Sequence, residues 1–458
     1  MPSRESETPT KINRSFDVII VGSGPSGTAT ALHLCRRDPE WAGRVLIIDR
    51  ATHPREKLCG GGVTHFGEEA LAELGLTVAP RFFSVREVRL DYREESYVFR
   101  GNPAFRIIRR DEFDHWLVGE CRAQGVTIHE GEALVGLDFL SGPDGESARE
   151  KSDVKTEQAP GQGATFSATE LKGPGAIVRS DRDTYFARVV VGADGSKSLT
   201  RRLAGFDSAG HVASASPSGR PKKSTAAGSR AKHSGNLARL MEVLTPEDAA
   251  AQGEFREGRA VFDFSRMTDG LQGYYWDFPS YVGGAAFMNR GLFDSRVRPE
   301  RPRADLKAEL NDALEKRDRR LADYELKGHP IHWFEARGPH ARPGVLLVGD
   351  AAGVDPLFGE GISFAIAYGG PAAEAIHDAF ARDDFRFADY SRRLMRRGIF
   401  RHLRLRVRLA RVAYRLRSPG FVKFCWRLAR LIVRFTPWRS RDYQPAKARA
   451  FPEAQAGG

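Results

Sequence analysis

Phe16-Asp17-Val18-Ile19-Ile20-Val21-Gly22-Ser23-Gly24-Pro25-Ser26-Gly27 opens as an apolar run and closes as a G-x-G-x-x-G turn. The run reads as a buried strand, and helical sequence follows the turn. A strand that ends in glycines ahead of a helix aims bare backbone N–H groups and a helix N-terminus at a pyrophosphate. Gly22 allows the tight turn, Gly24 lets phosphate approach and Gly27 lets helix and strand pack closely, with Pro25 and Ser26 in the same turn. A second buried-strand run, Val45-Leu46-Ile47-Ile48-Asp49, places Asp49 22 residues after Gly27, with Arg50 beside it. An acidic residue at that strand end accepts from a ribose hydroxyl. The combination predicts an α/β chain with a Rossmann-like dinucleotide site.

The bulk properties bound the rest. A chain of 458 residues has room for two or three domains. No apolar run approaches the length of a bilayer span. Residues Met1 to Ser15 carry no apolar h-region and read as a flexible lead-in. Four scattered cysteines match no zinc spacing, so no metal site is expected, and they suit a reducing cytoplasm. Net charge is +12, yet Ser391 to Arg441 alone holds 17 Lys and Arg with no Asp or Glu, which leaves the remainder at −5. Such asymmetry concerns partners and not fold.

Along the chain, Lys57-Leu58-Cys59-Gly60-Gly61-Gly62 is a glycine-rich loop and Val85 to Arg110 is β-rich. Phe113, Leu117 and Cys121 fall four apart, which predicts a helix over Asp111 to Gln124 that stops at Gly125. Ser141 to Gly175 and Asp207 to Gly235 read as polar insertions. Arg188 to Gly195 and Pro343 to Asp350 each read as a buried strand that ends in an aspartate. The expected division is a flexible terminus over 1–15 and a discontinuous nucleotide domain over 16–84, 109–206 (with a polar insertion over 141–175) and 340–381. A substrate domain covers 85–108 and 236–339, a low-complexity insertion 207–235 and a basic helical tail 382–458.

Gly192-Ala193-Asp194-Gly195-Ser196-Lys197-Ser198 and Gly349-Asp350-Ala351-Ala352 resemble motifs of the aromatic-ring-hydroxylase-like flavoproteins. Within that class the chain most resembles the geranylgeranyl reductase family. The resemblance rests on Cys59-Gly60-Gly61, on Asp355-Pro356-Leu357-Phe358-Gly359-Glu360-Gly361 and on Tyr274-Tyr275-Trp276-Asp277-Phe278-Pro279, and covers roughly Phe16 to Ala381. It implies a Rossmann-like FAD-binding domain interleaved with a β-rich, α+β substrate domain, followed by a C-terminal helical segment. Gly22, Gly24, Gly27 and Asp49 would hold the ADP half of FAD, and Arg110 would lie beside the cofactor. Asp194 and Gly195 would close the site, and Asp350 would face the ribityl or pyrophosphate region. Cys59, Gly60, Gly61 and the backbone of Gly359, Gly361 and Ile362 would approach the isoalloxazine. A helix that begins near Gly361 would aim N–H groups at the ring edge that gathers negative charge on reduction. Tyr274, Trp276, Phe278 and Pro279 would form a substrate wall. On residues alone, Asp-Gly is a common turn, a glycine run is a common loop and alternating aromatics are commonly core.

The implied reaction is hydrogenation of isolated C=C bonds in a prenyl chain by hydride from flavin N5 plus a proton, with Cys59 at the flavin edge as candidate proton relay. Positive charge building on a tertiary carbon is stabilised by aromatic faces. With no second G-x-G-x-x-G, the reductant is expected to be a transiently docked NAD(P)H or a ferredoxin-type carrier. The competing reading is a monooxygenase or halogenase of the same fold, although no W-x-W-x-I-P signature occurs. A non-catalytic flavin sensor at a membrane surface is a third.

In the tail, Arg401, Arg404, Arg408, Arg411 and Arg415 form one helical stripe and Phe400, Leu403, Val407, Ala410 and Tyr414 an adjoining apolar one. Ser418-Pro419-Gly420 breaks the helix, and Phe424, Leu428, Leu431 and Phe435 against Arg427, Arg430 and Arg434 form a second amphipathic run. Cationic amphipathic helices suit an anionic membrane surface and predict a cytoplasmic, peripherally membrane-associated protein. A helical hairpin packed on the body is the alternative. Nucleic acid is not expected, since no recognition module accompanies the charge.

Overall fold

The computed structural model describes residues 11–12, 14–140, 166–167, 175–207 and 236–435. Most of the two polar insertions, and the tail beyond 435, lie outside the described residues. Two eight-stranded sheets dominate. In the first, Arg14–Val21, Val45–Asp49, Thr127–Glu130, Thr184–Gly192 and Val345–Leu347 run parallel. Except in the edge strand Thr127–Glu130, their central residues are buried on both faces, as the unbroken apolar runs require. Helix Pro25–Arg37 covers one face and packs on Gly369–Arg382 and Arg110–Ala123. Phe113, Leu117 and Cys121 are fully buried, and Gly125 turns the chain away at φ +85°.

The second sheet is mostly antiparallel, in the order Lys327–His332, Leu237–Pro246, Ala285–Asp294, Gly273–Val282, Arg259–Asp263, Phe82–Tyr92, Glu95–Ile108, Gly62–Val63. Helix Leu306–Glu315 covers its outer face through Leu306, Leu310 and Leu314. Residues 50–61 cross from the end of the Val45–Asp49 strand to this sheet. They bring the glycine-rich loop over the inner face of the second sheet.

The first turn is fixed by backbone crowding. Gly22 has φ +110°, and a Cβ there would lie 2.5 Å from the Ala193 carbonyl oxygen. A Cβ on Gly27 would lie 1.9 Å from the Gly22 oxygen. Gly27→Ala is therefore expected to lower the stability of cofactor-free protein by about 1–3 kcal/mol through overpacking. Urea melts measure this, and an unchanged midpoint would show that the turn tolerates a side chain.

Candidate active site

One cavity of about 780 Å³ runs from the glycine turn to the inner face of the second sheet. Gly22, Gly24, Pro25, Ser26, Asp49 and Arg50 line one end. Its wall has room where a dinucleotide needs it. A Cβ on Gly24 would meet nothing closer than Arg55 Nη2 at 3.6 Å, and one on Gly195 would meet nothing within 4 Å. Asp49 accepts from Ser23 N (2.8 Å), Ser23 Oγ (2.6 Å) and Ala51 N (2.9 Å). Burial alone would raise its pKa, but these donors hold the carboxyl below its ordinary value. An open glycine cradle with a fixed carboxylate beside it fits the ADP half of FAD. Gly27 does not line the cavity; its missing side chain serves the packing of helix on strand.

Further in, Arg110 forms a bidentate pair with fully buried Asp114 at 2.7 Å, and Arg55 adds a third contact at 3.2 Å. Arg110 reaches the cavity wall with its charge already compensated. Asp194 also lines the cavity, while its carboxylate accepts from Thr200 N and from the Ser198 hydroxyl at the start of helix Leu199–Leu203. Asp350 accepts from Ser196 Oγ at 3.1 Å and lies 3.9 Å from Lys57 Nζ. Burial lowers the Lys57 pKa, reinforced by Arg110 and opposed by Asp350. Gly359, Gly361 and Ile362 complete this side. The helix that begins there, Ile362–Ala367, has only six residues, so close approach of backbone matters more here than a long helix dipole.

Tyr274, Trp276 and Phe278 share one face of the Gly273–Val282 strand and line the far end. Phe262 lies 5.1 Å from Tyr274 and 5.0 Å from Phe278, and Phe105 lies 5.9 Å from Phe278, ring centre to ring centre. Gly291, opposite Trp276, makes the wall possible, since a Cβ there would sit 2.4 Å from the indole. Pro279 belongs to the other pleat face with Tyr275 and Asp277 and is absent from the wall, a consequence of the two-residue period.

The Cys59-Gly60-Gly61 loop lies against these rings. A Cβ on Gly60 would be 3.1 Å from the Phe278 ring. Cys59 N donates to Glu242 Oε1 (3.2 Å), Asn289 Nδ2 donates to the Cys59 carbonyl (3.2 Å), and Trp276 Nε1 donates to Asn289 Oδ1 (2.8 Å). Burial pushes the Cys59 thiol above its ordinary value, so it keeps its proton.

The C-terminal helix Gly398–Ala413 corrects one expectation. Phe400, Leu403, Val407, Ala410 and Tyr414 are buried in the body and do not face a membrane. Arg406 rises from the same face into the cavity wall, where it pairs with Asp355 at 2.8 Å and Glu360 at 2.5 Å. The arginine stripe is exposed, as are Leu405, Leu409 and Val412 between its members. On helix Pro419–Phe435, Phe421, Phe424 and Leu428 are exposed while Val422 is buried. The side chains of Leu431, Arg434 and Phe435 lie outside the described residues.

Sequence reasoning missed Lys57, Glu242, Asn289 and Arg406. Two of them left a readable signal. Arg406 stands three residues after Leu403 and one before Val407, a cation inside an apolar helical stripe. Glu242 shares a strand face with Leu240, which lines the cavity.

No protein-family model matches the chain. Its sequence is 24% identical over 416 residues to an uncharacterized protein of Methanosarcina barkeri, covering 88% of this chain and 84% of that one. It is 26% identical over 392 residues to a menaquinone reductase of Mycolicibacterium smegmatis (79% and 76% covered). A third relative is digeranylgeranylglycerophospholipid reductase 2 of Methanopyrus kandleri, 25% identical over 394 residues (81% and 78%). Among solved structures, a geranylgeranyl bacteriochlorophyll reductase-like protein of Thermoplasma acidophilum superposes with TM-score 0.64 at 19% identity, covering 91% and 92% of the two chains. A flavin-dependent brominase superposes with TM-score 0.55 at 18% identity (92% and 97%). The two structural likenesses are of fold.

Removing Arg406 strands two carboxylates in the cavity wall. Arg406→Met is expected to cost about 3–5 kcal/mol at neutral pH. Burial already raises the Asp355 pKa, with Arg406 opposing, so without the arginine Asp355 takes up a proton as the pH falls. The deficit should therefore shrink between pH 7.5 and pH 5 in urea melts. A deficit independent of pH would contradict the pairing.

Proposed function

We propose that this chain, a geranylgeranyl reductase-like FAD-dependent oxidoreductase, hydrogenates isolated C=C bonds of a prenyl lipid such as a geranylgeranyl group or a polyprenyl quinone side chain. The observation that carries the reading is the continuity of one cavity from the Gly24 and Asp49 cradle to a wall of Tyr274, Trp276 and Phe278. FAD, when bound, supplies hydride from its N5. Gly22, Gly24, Asp49, Gly195 and Asp350 would hold its phosphates and sugars, and Gly60, Gly61 and Gly359 to Ile362 its ring system. The aromatic wall orients an apolar chain, excludes water and stabilises positive charge on a tertiary carbon, each ring face contributing about 0.5–2 kcal/mol. Cys59 holds a proton at Sγ beside that wall. Electrons would come from NAD(P)H or a ferredoxin-type carrier.

Substrate of this kind resides in membranes, and the outer face of the C-terminal helices suits an anionic lipid surface. Exposed Leu405, Leu409, Val412, Phe421, Phe424 and Leu428 stand among exposed arginines. Trp426 packs on Phe264 at 5.5 Å, and Phe264 meets Phe358 of the cavity rim at 6.4 Å. A path from the lipid-facing side to the cavity would therefore be short. No helix among the described residues is long and apolar enough to cross a membrane.

Products analysed by mass should gain two hydrogens per bond and no oxygen; incorporation of oxygen would favour the monooxygenase reading. Trp276→Ala should lower kcat/KM by about 2- to 30-fold, the kinetic equivalent of one lost cation–π contact. In flotation with anionic vesicles, Phe421→Ser, Phe424→Ser and Leu428→Ser together should release the protein. Flotation unchanged by the triple substitution would exclude this face.

A further inference from the structure

Glu242 is 4% exposed on the Leu237–Pro246 strand, in register with Gly291, which is itself in register with Trp276. The three positions share the cavity-side face of the sheet, and the Cys59 loop lies over Glu242. Its Oε1 accepts from Cys59 N at 3.2 Å, and its Oε2 is buried with no hydrogen-bond partner.

The acids around it behave differently. On the same sheet Glu247 pairs with Arg290 and Arg319, Asp277 with Arg290 and Arg317, and Asp294 with Arg239. Among the described residues, Glu242 has no cation within salt-bridge distance. The nearby charges are engaged elsewhere: Lys327 Nζ bonds Glu56 (2.6 Å) and Glu325 (3.2 Å), and Arg109 faces Asp111 (3.5 Å). A carboxylate buried without a counter-ion is costly, and the inexpensive alternative is to keep its proton. Burial raises the Glu242 pKa to about 7 against the opposing pull of Cys59 N–H, Asn289, Arg109 and Lys327.

We propose that Glu242 is the proton reservoir behind the cavity wall, which refills the Cys59 thiol after that thiol has given its proton to the prenyl alkene. This rests on the reductase reading above. In the balanced step, the Cys59 S–H proton forms a C–H bond at one alkene carbon while hydride from reduced FAD forms the other, and FAD is left oxidised. The Glu242 O–H proton then passes to the Cys59 thiolate, and solvent returns a proton to Glu242. Glu242 acts through Cys59 and is a positioning residue for that proton. The clamp of Glu242 and Asn289 on the two ends of the Cys59 residue holds the loop for this exchange.

Two measurements test it. The first needs neither flavin nor turnover. An acid whose folded pKa is raised stabilises the fold less as the pH climbs from its ordinary value to its raised one. Between pH 4.5 and 7.5 the folding equilibrium constant of wild type should fall about a hundredfold relative to Glu242→Gln. Parallel curves would overturn the protonated carboxyl and the proposal with it. The second is the pH–rate profile for reduction of geranylgeranyl diphosphate by the FAD-loaded enzyme with dithionite. Wild type should lose rate above about pH 7; Glu242→Gln should be slower by about 10²-fold and lack that limb, and Glu242→Asp should restore part of it. An unaltered profile in Glu242→Gln would overturn the relay. A wild type that leaves the prenyl chain untouched sinks the substrate reading and the relay together, while the stability curves still judge the carboxyl separately.

Discussion

The backbone of Gly61 lies against that of Ile108 with no space for a side chain between them. A Cβ on Gly61 would be 2.1 Å from the Ile108 oxygen, its φ is +79°, and Ile108 N donates to the Gly61 oxygen at 3.0 Å. This contact fastens the loop that leaves the first sheet to the edge of the second, beside the Glu95–Ile108 strand. Cys59 and Gly60, just ahead of it, are thereby pressed on Phe278 and Trp276. Glycine is required because both the left-handed conformation and the close approach exclude a side chain.

The nucleotide half of the molecule was legible in the sequence because its signals are local. Apolar runs, glycine spacing and an acidic strand end each constrain neighbouring residues, and Asp49 and Gly22 stand where those constraints lead. Tyr274, Trp276 and Phe278 were legible as one strand face, and the same two-residue period removes Pro279 from it. Glu242 and Asn289 were not read, because their meaning depends on strands paired across distant parts of the chain. Glu242 faces Cys59, 183 residues away in sequence. The apolar stripe of the first tail helix was read correctly as a stripe and wrongly as a lipid face. Periodicity identifies a buried side without saying what buries it.

Charge is handled in two ways in the interior. Asp114, Asp277, Asp294 and Glu247 meet arginines, which fixes their side chains in place. Glu242 meets a peptide N–H and an amide, which tolerate either protonation state. Ion pairs thus frame the site, while behind Cys59 stands a buried carboxyl with, among the described residues, no cation beside it.

Leu405 and Arg406 are neighbours in one helical turn, the first half exposed to solvent and the second in the cavity wall. A helix is stiff, so the two cannot move independently. One rigid element therefore carries both outermost apolar side chains and the cation that holds Asp355 and Glu360, with Phe400, Leu403 and Val407 as the buried layer between them.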